Sequence, residues 1–304
     1  MLTIDNLIKK INIQCKVLKK QPLKSYSSFK IGGPADILAI PESKEDLCQL
    51  VTFCSEQGIP RTLLGAGANV LISDQGVEGM VILTTQLNRI YFPEKNLIAA
   101  QSGAAVSRVV EAAQESNMSN LEFLYAMPGS IGGAVYMNAR CYDSSISDVV
   151  AWVEAINEKG EIKEIRHSPE DFDYKRSPYQ KNGQVIFSAA FRIQRGISQE
   201  ILQKMKSYKQ DRINKGHFNF PSAGSTFKNN RAFGQSTGQI IDSLGLKGYS
   251  KGDAQISPYH ANIFINKQNA SASDMRSLIE EVQKKVQIAY GFNLEPEVIY
   301  LGRW

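Results

Sequence analysis

The chain has 304 residues, of which 42% are hydrophobic and 21% charged, with a formal net charge of +5. This composition is typical of a globular protein and excludes a disordered chain or a coiled coil, and the length predicts two or three domains. Because the basic residues are spread along the chain, the charge favours an anionic small ligand such as a nucleotide over nucleic acid.

The first third of the chain alternates predicted helices and strands. Residues 2–11 have loosely helical spacing of apolar side chains, and 37–40 is a short apolar run that predicts a strand. A second strand is predicted over 61–64, and it leads directly into the small-residue loop 65–69. This order of strand, helix, strand and glycine loop is typical of a nucleotide-binding α/β unit.

The helix between these two strands has a marked beginning and end. Ser43, with Asp46 three residues later, is a capping-box pattern, and the segment 58–60 contains the glycine and proline that stop the helix. Its predicted apolar face consists of Leu47, Leu50, Val51 and Cys54.

The middle third mixes short predicted strands (80–83, 97–101 and 149–157) with one helix over 106–116. Between them, residues 126–138 are too rich in glycine for the interior of an element and too apolar for an exposed linker. We expect an irregular segment there, at a place where the backbone approaches something closely.

The last third begins near a charged helix over 200–215, which ends at the glycine-containing stretch 216–221. A final helix is predicted from the cap Ser273 to Gly291, followed by a strand over 297–301. The apolar face of that helix is predicted to hold Met275, Leu278, Ile279, Val282, Val286 and Ala289.

Cysteines and hydropathy indicate the cellular compartment. Cys15, Cys48, Cys54 and Cys141 form no C-x-x-C pair and are expected to be reduced and partly buried. No stretch approaches the ~20 apolar residues of a membrane span, and the N-terminus shows no signal peptide. We therefore expect a cytoplasmic protein without membrane insertion, and a monomer is favoured.

Two glycine segments are candidate phosphate-binding loops. Gly65 and Gly67 begin a G-x-G pattern, but Val70 stands where a dinucleotide fingerprint needs its third glycine, and no P-loop motif occurs. Each segment, 65–69 or 128–133, is either an ordinary tight turn or a backbone cradle for phosphate. Two such loops after apolar strands favour one extended ligand, and a flavin dinucleotide has the required length.

The remaining polar motifs are ambiguous when each is taken alone. Ser225 could be a turn former, because G-x-S-x-G is absent and the histidines His167, His217 and His260 have no spacing typical of a Ser–His pair. The same scattered histidines predict no metal site, and a hydrolase is disfavoured. The charged segments 174–177 and 294–298 would ordinarily be solvated turns or strand ends.

The order of these motifs resembles the UDP-N-acetylenolpyruvoylglucosamine reductases from about residue 20 to 304. The flavin-binding half of that family is matched by Phe29–Asp36, Gly65–Asn69 and Met127–Ala139. Its substrate domain is matched by Ala223–Asn229, Gly245–Tyr249, His260–Asn262 and Leu294–Val298. The chain is similar to the shorter type of the family, which lacks an inserted tyrosine-bearing loop.

This resemblance implies an α+β protein with a vanillyl-alcohol-oxidase-type FAD-binding fold in two subdomains, 1–86 and 87–197, and a UDP-sugar domain, 198–304. It implies NADPH-dependent reduction of UDP-N-acetylglucosamine enolpyruvate to UDP-N-acetylmuramate through FAD, a cytoplasmic step of peptidoglycan precursor synthesis. Because 65–69 and its flanks contain neither His nor Cys, FAD is expected to be non-covalent.

The resemblance also implies roles for individual residues. Ser225 would be the proton donor and Glu297 would hold and polarise the substrate carboxylate, while Tyr174, Lys215 and Asn229 would contact the substrate. FAD would be bound by Gly65, Ala66, Gly67, Ala68, Asn69, Pro128, Gly129, Ser130, Gly132 and Gly133.

One position departs from the family pattern. The family usually has Tyr-Arg-x-Ser where this chain has Tyr174-Lys175-Arg176-Ser177. Lysine keeps the charge but loses the planar fork with which arginine grips a carboxylate. Either Lys175 acts as a point charge or a local bulge brings Arg176 inward, and both are candidate catalytic residues.

Two other functions remain as alternatives. One is a flavin oxidase or dehydrogenase of the same fold that acts on another substrate. The other is an RNA- or nucleotide-binding module that uses the basic residues Lys204, Lys206, Lys209, Arg212 and Lys215. That basic stretch lacks interleaved aromatic side chains apart from Tyr208 and Phe218. Colour would separate the classes, since a purified flavoprotein is yellow.

Overall fold

A computed structural model of the protein describes residues 15–304, so the predicted helix over 2–11 lies outside the described residues. The strands are β1 Lys16–Pro22, β2 Pro34–Ile40, β3 Arg61–Leu64, β4 Val70–Ile72, β5 Val77–Leu83, β6 Ile90–Glu94, β7 Leu97–Gln101, β8 Met118–Ser119, β9 Arg140–Cys141, β10 Ser144–Ser145, β11 Val150–Ile156, β12 Ile162–Arg166, β13 Val185–Arg192, β14 Gln194–Arg195, β15 Ser222–Ser225, β16 Ser250–Lys251, β17 Ala254–Ile256, β18 Ile263–Asn266 and β19 Ile299–Leu301. The α-helices are α1 Lys44–Glu56, α2 Val106–Glu115, α3 Ile131–Tyr136, α4 Ile146–Val149, α5 Ser198–Asn214, α6 Thr237–Ser243 and α7 Ala272–Tyr290.

The chain divides into two compact units whose segments alternate along the sequence. The first unit holds the described residues up to Lys20, Asp36–Ala66 and Gly79–Lys209. The second holds Gln21–Ala35, Gly67–Glu78 and Gln210–Trp304. The expected division into three domains at residues 86 and 197 stays a prediction.

The first unit is built on two sheets, with strand orders β1-β2-β5-β3 and β12-β11-β13-β7-β6. The pair β3 and β5 is parallel, with Arg61 opposite Met80, whereas neighbours in the five-stranded sheet are antiparallel. Buried side chains of β11 and β13 pack with α2 and α3 in one hydrophobic core. The same core includes buried side chains of residues 118–124, which follow α2, and of Tyr179, which follows β11 and β12 in the chain.

Helix α1 forms as its sequence pattern predicts. Ser43 accepts a hydrogen bond from the N–H of Asp46, and the Asp46 carboxylate accepts one from the N–H of Ser43. All four predicted face residues are buried, and each such burial stabilises the fold by about 1.5–3 kcal/mol for the larger side chains. The predicted strands over 37–40 and 61–64 are confirmed as β2 and β3.

The second unit contains a four-stranded sheet of order β15-β18-β17-β16 and a parallel pair formed by β19 and β4. The buried face of α7, Met275, Leu278, Ile279, Val282 and Val286, belongs to the core of this unit. Gly291 ends the helix in the left-handed conformation with φ of 71°, as the sequence predicts. The last strand is shorter than predicted and starts at Ile299.

Two details of α7 correct the prediction. The N-cap is Ser271, because Ser271 and Asp274 form the capping box. Ser273 lies inside the helix, where its N–H and hydroxyl donate to the carboxylate of Asp74. Ala289 is exposed, because the last turn of the helix extends past the apolar core.

The segment 126–138 also differs from the prediction of an irregular backbone, because Ile131–Tyr136 is a short helix, α3. Its Ile131, Ala134 and Val135 are buried, so core packing compensates for the low helix propensity of two glycines. Within residues 15–304, no helix is both long enough and apolar enough to span a membrane. The four cysteines are free thiols, and Cys54 is buried while Cys15, Cys48 and Cys141 are half-buried.

Candidate cofactor-binding and active-site residues

The two glycine segments meet inside the first unit. A Cβ atom placed on Gly65 would lie only 2.1 Å from the hydroxyl oxygen of Ser130. A Cβ on Gly132 would lie 2.8 Å from Cβ of Ser102. Glycine is therefore required at both positions for this close approach of backbone to side chain.

The residues at this junction fit a bound dinucleotide. The segment around Ser130 is anchored by the N–H groups of Ile131 and Gly132, which donate to the carbonyls of Ala104 (2.9 Å) and Ser102 (2.8 Å). The hydroxyls of Ser102 and Ser130 are buried and have no hydrogen-bond partner among the described residues. Unsatisfied buried hydroxyls are expected where a ligand or an ordered water completes the site.

The second half of the first glycine loop lies in the second unit. Gly67 has φ of 62°, and a Cβ there would lie 2.1 Å from the carbonyl oxygen of Tyr26. The amide of Asn69 donates to the carbonyl of Glu297 at 3.0 Å, and the N–H of Ile299 donates to the carbonyl of Asn69 at 3.0 Å. Asn69 therefore holds the chain on both sides of Val298, a structural role beside its predicted role in cofactor binding.

We expect Gly67→Ala to destabilise the protein by about 2–5 kcal/mol, because it adds left-handed backbone strain to a clash with a carbonyl oxygen. Gly291 provides a matched control, since it also has positive φ (71°) but has nothing within 4 Å of an added Cβ. Gly291→Ala should cost only about 1–2 kcal/mol. Denaturant unfolding and the fraction of protein that retains FAD would be measured for both; equal losses would contradict the close approach at Gly67.

In the first unit, the segment 172–178 carries the three charged or aromatic site candidates on a tight turn. The backbone N–H groups of Asp173 and Arg176 donate to each other's carbonyls at 3.1 and 3.0 Å. Lys175 occupies the third position of this turn with φ of 58°, where such turns favour Gly or Asn. Strained non-glycine backbone of this kind is concentrated at functional sites.

Side chains tie this turn to the glycine-rich segment 126–139. Asn138 donates to the carbonyl of Asp173 at 2.9 Å, and Ser177 donates to the carbonyl of Tyr136 at 2.7 Å. The amide of Gln180 donates to the carbonyls of Tyr136 (2.7 Å) and Lys175 (3.1 Å). The structure thus brings the loop that carries Lys175 to the second glycine segment, which the separate motifs did not predict.

The three candidates on the turn differ in exposure. Tyr174 is 43% exposed, Arg176 is exposed, and Lys175 is half-buried. No bulge turns Arg176 inward, because its backbone closes the regular turn with Asp173.

In the second unit, Ser225 and Glu297 lie in adjacent chain segments. Ser225 ends β15, and the N–H of Glu297 donates to the carbonyl of the next residue, Thr226, at 2.8 Å. Both Ser225 and Glu297 are half-buried. The predicted catalytic pair is therefore brought together by the backbone.

Asn262 fixes this arrangement, a structural role that the sequence motifs did not predict. Its side chain accepts from the N–H of Phe227 at 3.0 Å and donates to the carbonyl of Phe227 at 2.9 Å, and its carbonyl accepts from the N–H of Thr226 at 2.8 Å. In the sequence, the position of Asn262 within the His260–Asn262 motif was the feature that could have indicated this role. A side chain that satisfies both backbone groups of one residue is difficult to infer without coordinates.

The two predicted nucleotide contacts lie at the surface of the second unit. Asn229 is exposed, and its side-chain oxygen accepts from the N–H of Thr237 at 2.9 Å near the start of α6. Lys215 follows α5 and pairs with Asp211 at 2.7 Å.

Lys215 belongs to a basic cluster that contains two histidines missed as site candidates. The rings of His217 and His260 lie 6.4 Å apart. Burial, together with the charges of Arg212 and Lys215, lowers the pKa of His217 to about 4. Burial and the charges of Lys215 and Lys247 also lower the pKa of His260. Excess positive potential of this kind suits an anion.

This cluster predicts a stability loss in acid. The pKa of His217 falls from 6.5 to about 4 on folding, so the unfolded state binds more protons between these values and stability decreases as the pH falls through that window. Wild type should lose about 1–2 kcal/mol more than His217→Gln on passing from neutral pH to roughly pH 5. Denaturant unfolding at both pH values measures this difference, and parallel losses in the two proteins would contradict the assignment.

Comparisons with known proteins identify the class of this protein. The family described as "FAD binding domain" matches residues 35–166. The family described as "UDP-N-acetylenolpyruvoylglucosamine reductase, C-terminal domain" matches residues 216–301. Together with the glycine-segment junction, these matches define an FAD-containing oxidoreductase.

Whole-chain relatives specify the family. A UDP-N-acetylenolpyruvoylglucosamine reductase from Treponema denticola is 45% identical over 300 residues, 93% of each chain. One from Borreliella burgdorferi is 38% identical and covers 99% of this chain and 98% of its own. The crystal structure of the reductase (MurB) from Thermus caldophilus matches 95% of this chain and 99% of its own with a TM-score of 0.80 and 30% identity. The chain belongs to the UDP-N-acetylenolpyruvoylglucosamine reductase family, which confirms the predicted fold class.

Proposed function

We propose that this protein reduces UDP-N-acetylglucosamine enolpyruvate to UDP-N-acetylmuramate in peptidoglycan precursor synthesis, with NADPH as electron donor and non-covalent FAD, in the cytoplasm. The relatives that match nearly the whole chain are named for reduction of the enolpyruvoyl sugar. The observation that carries the proposal is the adjacent placement of Ser225 and Glu297, held by the Thr226–Glu297 hydrogen bond.

The first unit supplies the residues that would hold the cofactor. The backbone of residues 65–66 and 128–133 and the hydroxyls of Ser102 and Ser130 would bind the diphosphate region. The resemblance also assigns Gly67, Ala68 and Asn69, of the second unit, to FAD binding. When bound by these residues, FAD would supply the redox chemistry, namely transfer of hydride from NADPH to the enolpyruvyl double bond.

Ser225 would donate the proton that completes the reduction. Addition of hydride to the terminal carbon leaves negative charge on the α-carbon and the carboxylate. A hydroxyl is a weak acid in water but a reasonable donor to such a basic carbon. Glu297, in the adjacent segment, would hold and polarise the substrate carboxylate before protonation.

Lys175 rather than Arg176 would fill the position of the family's catalytic arginine. Lys175 is half-buried on a strained turn, whereas Arg176 is exposed and its backbone closes that turn. A lysine ammonium stabilises developing carboxylate charge as a point charge. Tyr174, on the same turn, would contact the substrate.

Lys215 and Asn229 would contact the nucleotide or its phosphates. Together with burial, the charges of Lys215, Arg212 and Lys247 lower the pKa values of His217 and His260, and such an excess of positive charge favours a diphosphate. Asn229 is exposed beside the first turn of α6.

Product analysis tests this proposal. Purified protein with NADPH and the enolpyruvyl sugar should form UDP-N-acetylmuramate in a one-to-one ratio with NADPH consumed, and in D₂O the product should carry deuterium at the α-carbon. NADH in place of NADPH tests the donor preference. Consumption of NADPH that requires oxygen and yields no reduced sugar would instead support a flavin oxidase.

A further inference from the structure

A chain of hydrogen bonds, buried at His167 and Tyr179 and exposed at Asp171, lies at the base of the loop that carries Lys175. His167 Nδ1 is 3.1 Å from a carboxylate oxygen of Asp171, and His167 Nε2 is 2.6 Å from the hydroxyl of Tyr179. His167 is 8% exposed and Tyr179 is 3% exposed. His167 and Asp171 precede the loop 172–178 and Tyr179 follows it, so the chain of bonds joins the two ends of the loop.

For a neutral imidazole, elementary chemistry sets the direction of each hydrogen bond. An ionised carboxylate only accepts, so Nδ1–H of His167 donates to Asp171, and in the neutral ring Nε2 accepts from the hydroxyl of Tyr179. Burial, and secondly the charge of Asp171, raises the pKa of Tyr179, which keeps it a donor. Hydrogen bonds from the N–H of Ser168 and from His167 lower the pKa of Asp171, which keeps it an acceptor.

The surroundings hold the imidazole in place. The ring of Phe172, the first residue of the loop, packs edge-on against it with 5.2 Å between centroids, and the ring of Tyr179 does so at 5.6 Å. Arg192 of β13 donates to the carbonyl of His167 at 3.1 Å. The base of the loop is thus attached to the five-stranded sheet of the first unit.

The loop needs such support because its tip is strained. Lys175 has φ of 58°, and a conformation of this kind persists only where the surrounding structure imposes it. Asn138, Ser177 and Gln180 hold the loop against the glycine-rich segment. If the ends of the loop separated, the turn could relax to ordinary backbone geometry and the ammonium of Lys175 would move.

We propose that His167, Asp171 and Tyr179 form a clasp that positions Lys175 for reduction of the enolpyruvyl substrate. The proposal rests on the role given to Lys175 in the proposed function. The three clasp residues touch neither substrate nor FAD in this role and act through the loop, so they are positioning residues. A purely structural role would stabilise the fold without affecting turnover by the folded enzyme.

Tyr179→Phe removes only the hydroxyl that His167 accepts from, and it is the main test. We expect faster hydrogen exchange of the amides in residues 173–176 and a decrease in kcat of roughly 10–100-fold, as for a misplaced catalytic group. The KM for NADPH should stay unchanged. His167→Gln can donate to Asp171 and accept from Tyr179, and it should restore most of kcat relative to His167→Leu.

Tyr249→Phe is the matched control, because the hydroxyl of Tyr249 also makes a side-chain hydrogen bond, in this case to the carboxylate of Glu281 in the second unit. It should leave both exchange of 173–176 and kcat near wild type. Unchanged exchange in Tyr179→Phe, or faster exchange with wild-type kcat, would overturn the clasp. A wild-type enzyme that never reduces the enolpyruvyl sugar would overturn the proposed function instead. In that case, hydrogen exchange of residues 173–176 in Tyr179→Phe compared with wild type would still decide whether the clasp holds the loop.

Discussion

Ser225→Ala is expected to lower kcat for reduction of the enolpyruvyl sugar by roughly 10²–10⁴-fold, the usual contribution of a positioned proton donor. Ser225 lies at the end of β15, beside the segment that carries Glu297. Loss of its hydroxyl leaves only water to protonate the α-carbon. The rate at which NADPH bleaches the enzyme should not change, because that step requires no proton from Ser225.

Rapid mixing under anaerobic conditions separates reduction of the enzyme by NADPH from reduction of the enolpyruvyl sugar in Ser225→Ala. Ser222→Ala is the matched control, since it removes another half-buried hydroxyl from the same strand. It should recover its colour with the enolpyruvyl sugar as quickly as wild type. If Ser225→Ala also forms UDP-N-acetylmuramate at the wild-type rate, Ser225 is not the proton donor.

Lys175→Met is expected to lower kcat for the same reduction by roughly 10²–10³-fold, as when one preorganised group that stabilises developing negative charge is removed. Arg176→Met, one residue along the same turn, should have a much smaller effect, because Arg176 is exposed while Lys175 is half-buried. Steady-state kinetics of both variants measure this difference. A large loss in Arg176→Met with near-normal Lys175→Met would assign the family's arginine position to Arg176.

Stability measurements on Lys175→Gly distinguish function from structure at this position. Glycine adopts φ of 58° without the strain of an L side chain, which is worth about 1–2 kcal/mol. We expect Lys175→Gly to be at least as stable as wild type and as slow as Lys175→Met. A destabilised Lys175→Gly would mean that the lysine side chain supports the fold.

Much of the fold follows from short-range patterns. The capping box of Ser43 and Asp46 and the four apolar positions of α1 determined that helix, and β3 has the predicted bounds. These features depend on residues within one or two turns of each other, and they can therefore be read from a single sequence.

The incorrect predictions have identifiable physical causes. Asp74, about 200 residues away in sequence, accepts from the N–H groups at the start of α7, and the capping box with Asp274 selects Ser271 over Ser273. Core burial of Ile131, Ala134 and Val135 forms a helix in a glycine-rich segment. The start of α7 was therefore a local capping box that the prediction placed wrongly, with a tertiary contact to Asp74 beside it, whereas tertiary packing decided the helix in the glycine-rich segment.

The candidate site was partly predictable for a similar reason. The order of its motifs indicated the family and the residues Ser225 and Glu297. The proposed choice of Lys175 over Arg176 rests on a backbone turn. Asn262 acts on Phe227, 35 residues away in sequence, and His167 bonds to Tyr179 across an intervening loop. Such side-chain bonds leave no periodic pattern in the sequence.

Anaerobic visible absorbance tests most directly whether this chain reduces the enolpyruvyl sugar. We expect purified protein to be yellow, to bleach on addition of NADPH, and to recover its colour when UDP-N-acetylglucosamine enolpyruvate is added. Protein that bleaches but stays bleached in the presence of the enolpyruvyl sugar would contradict the proposed reaction while leaving an FAD-dependent oxidoreductase.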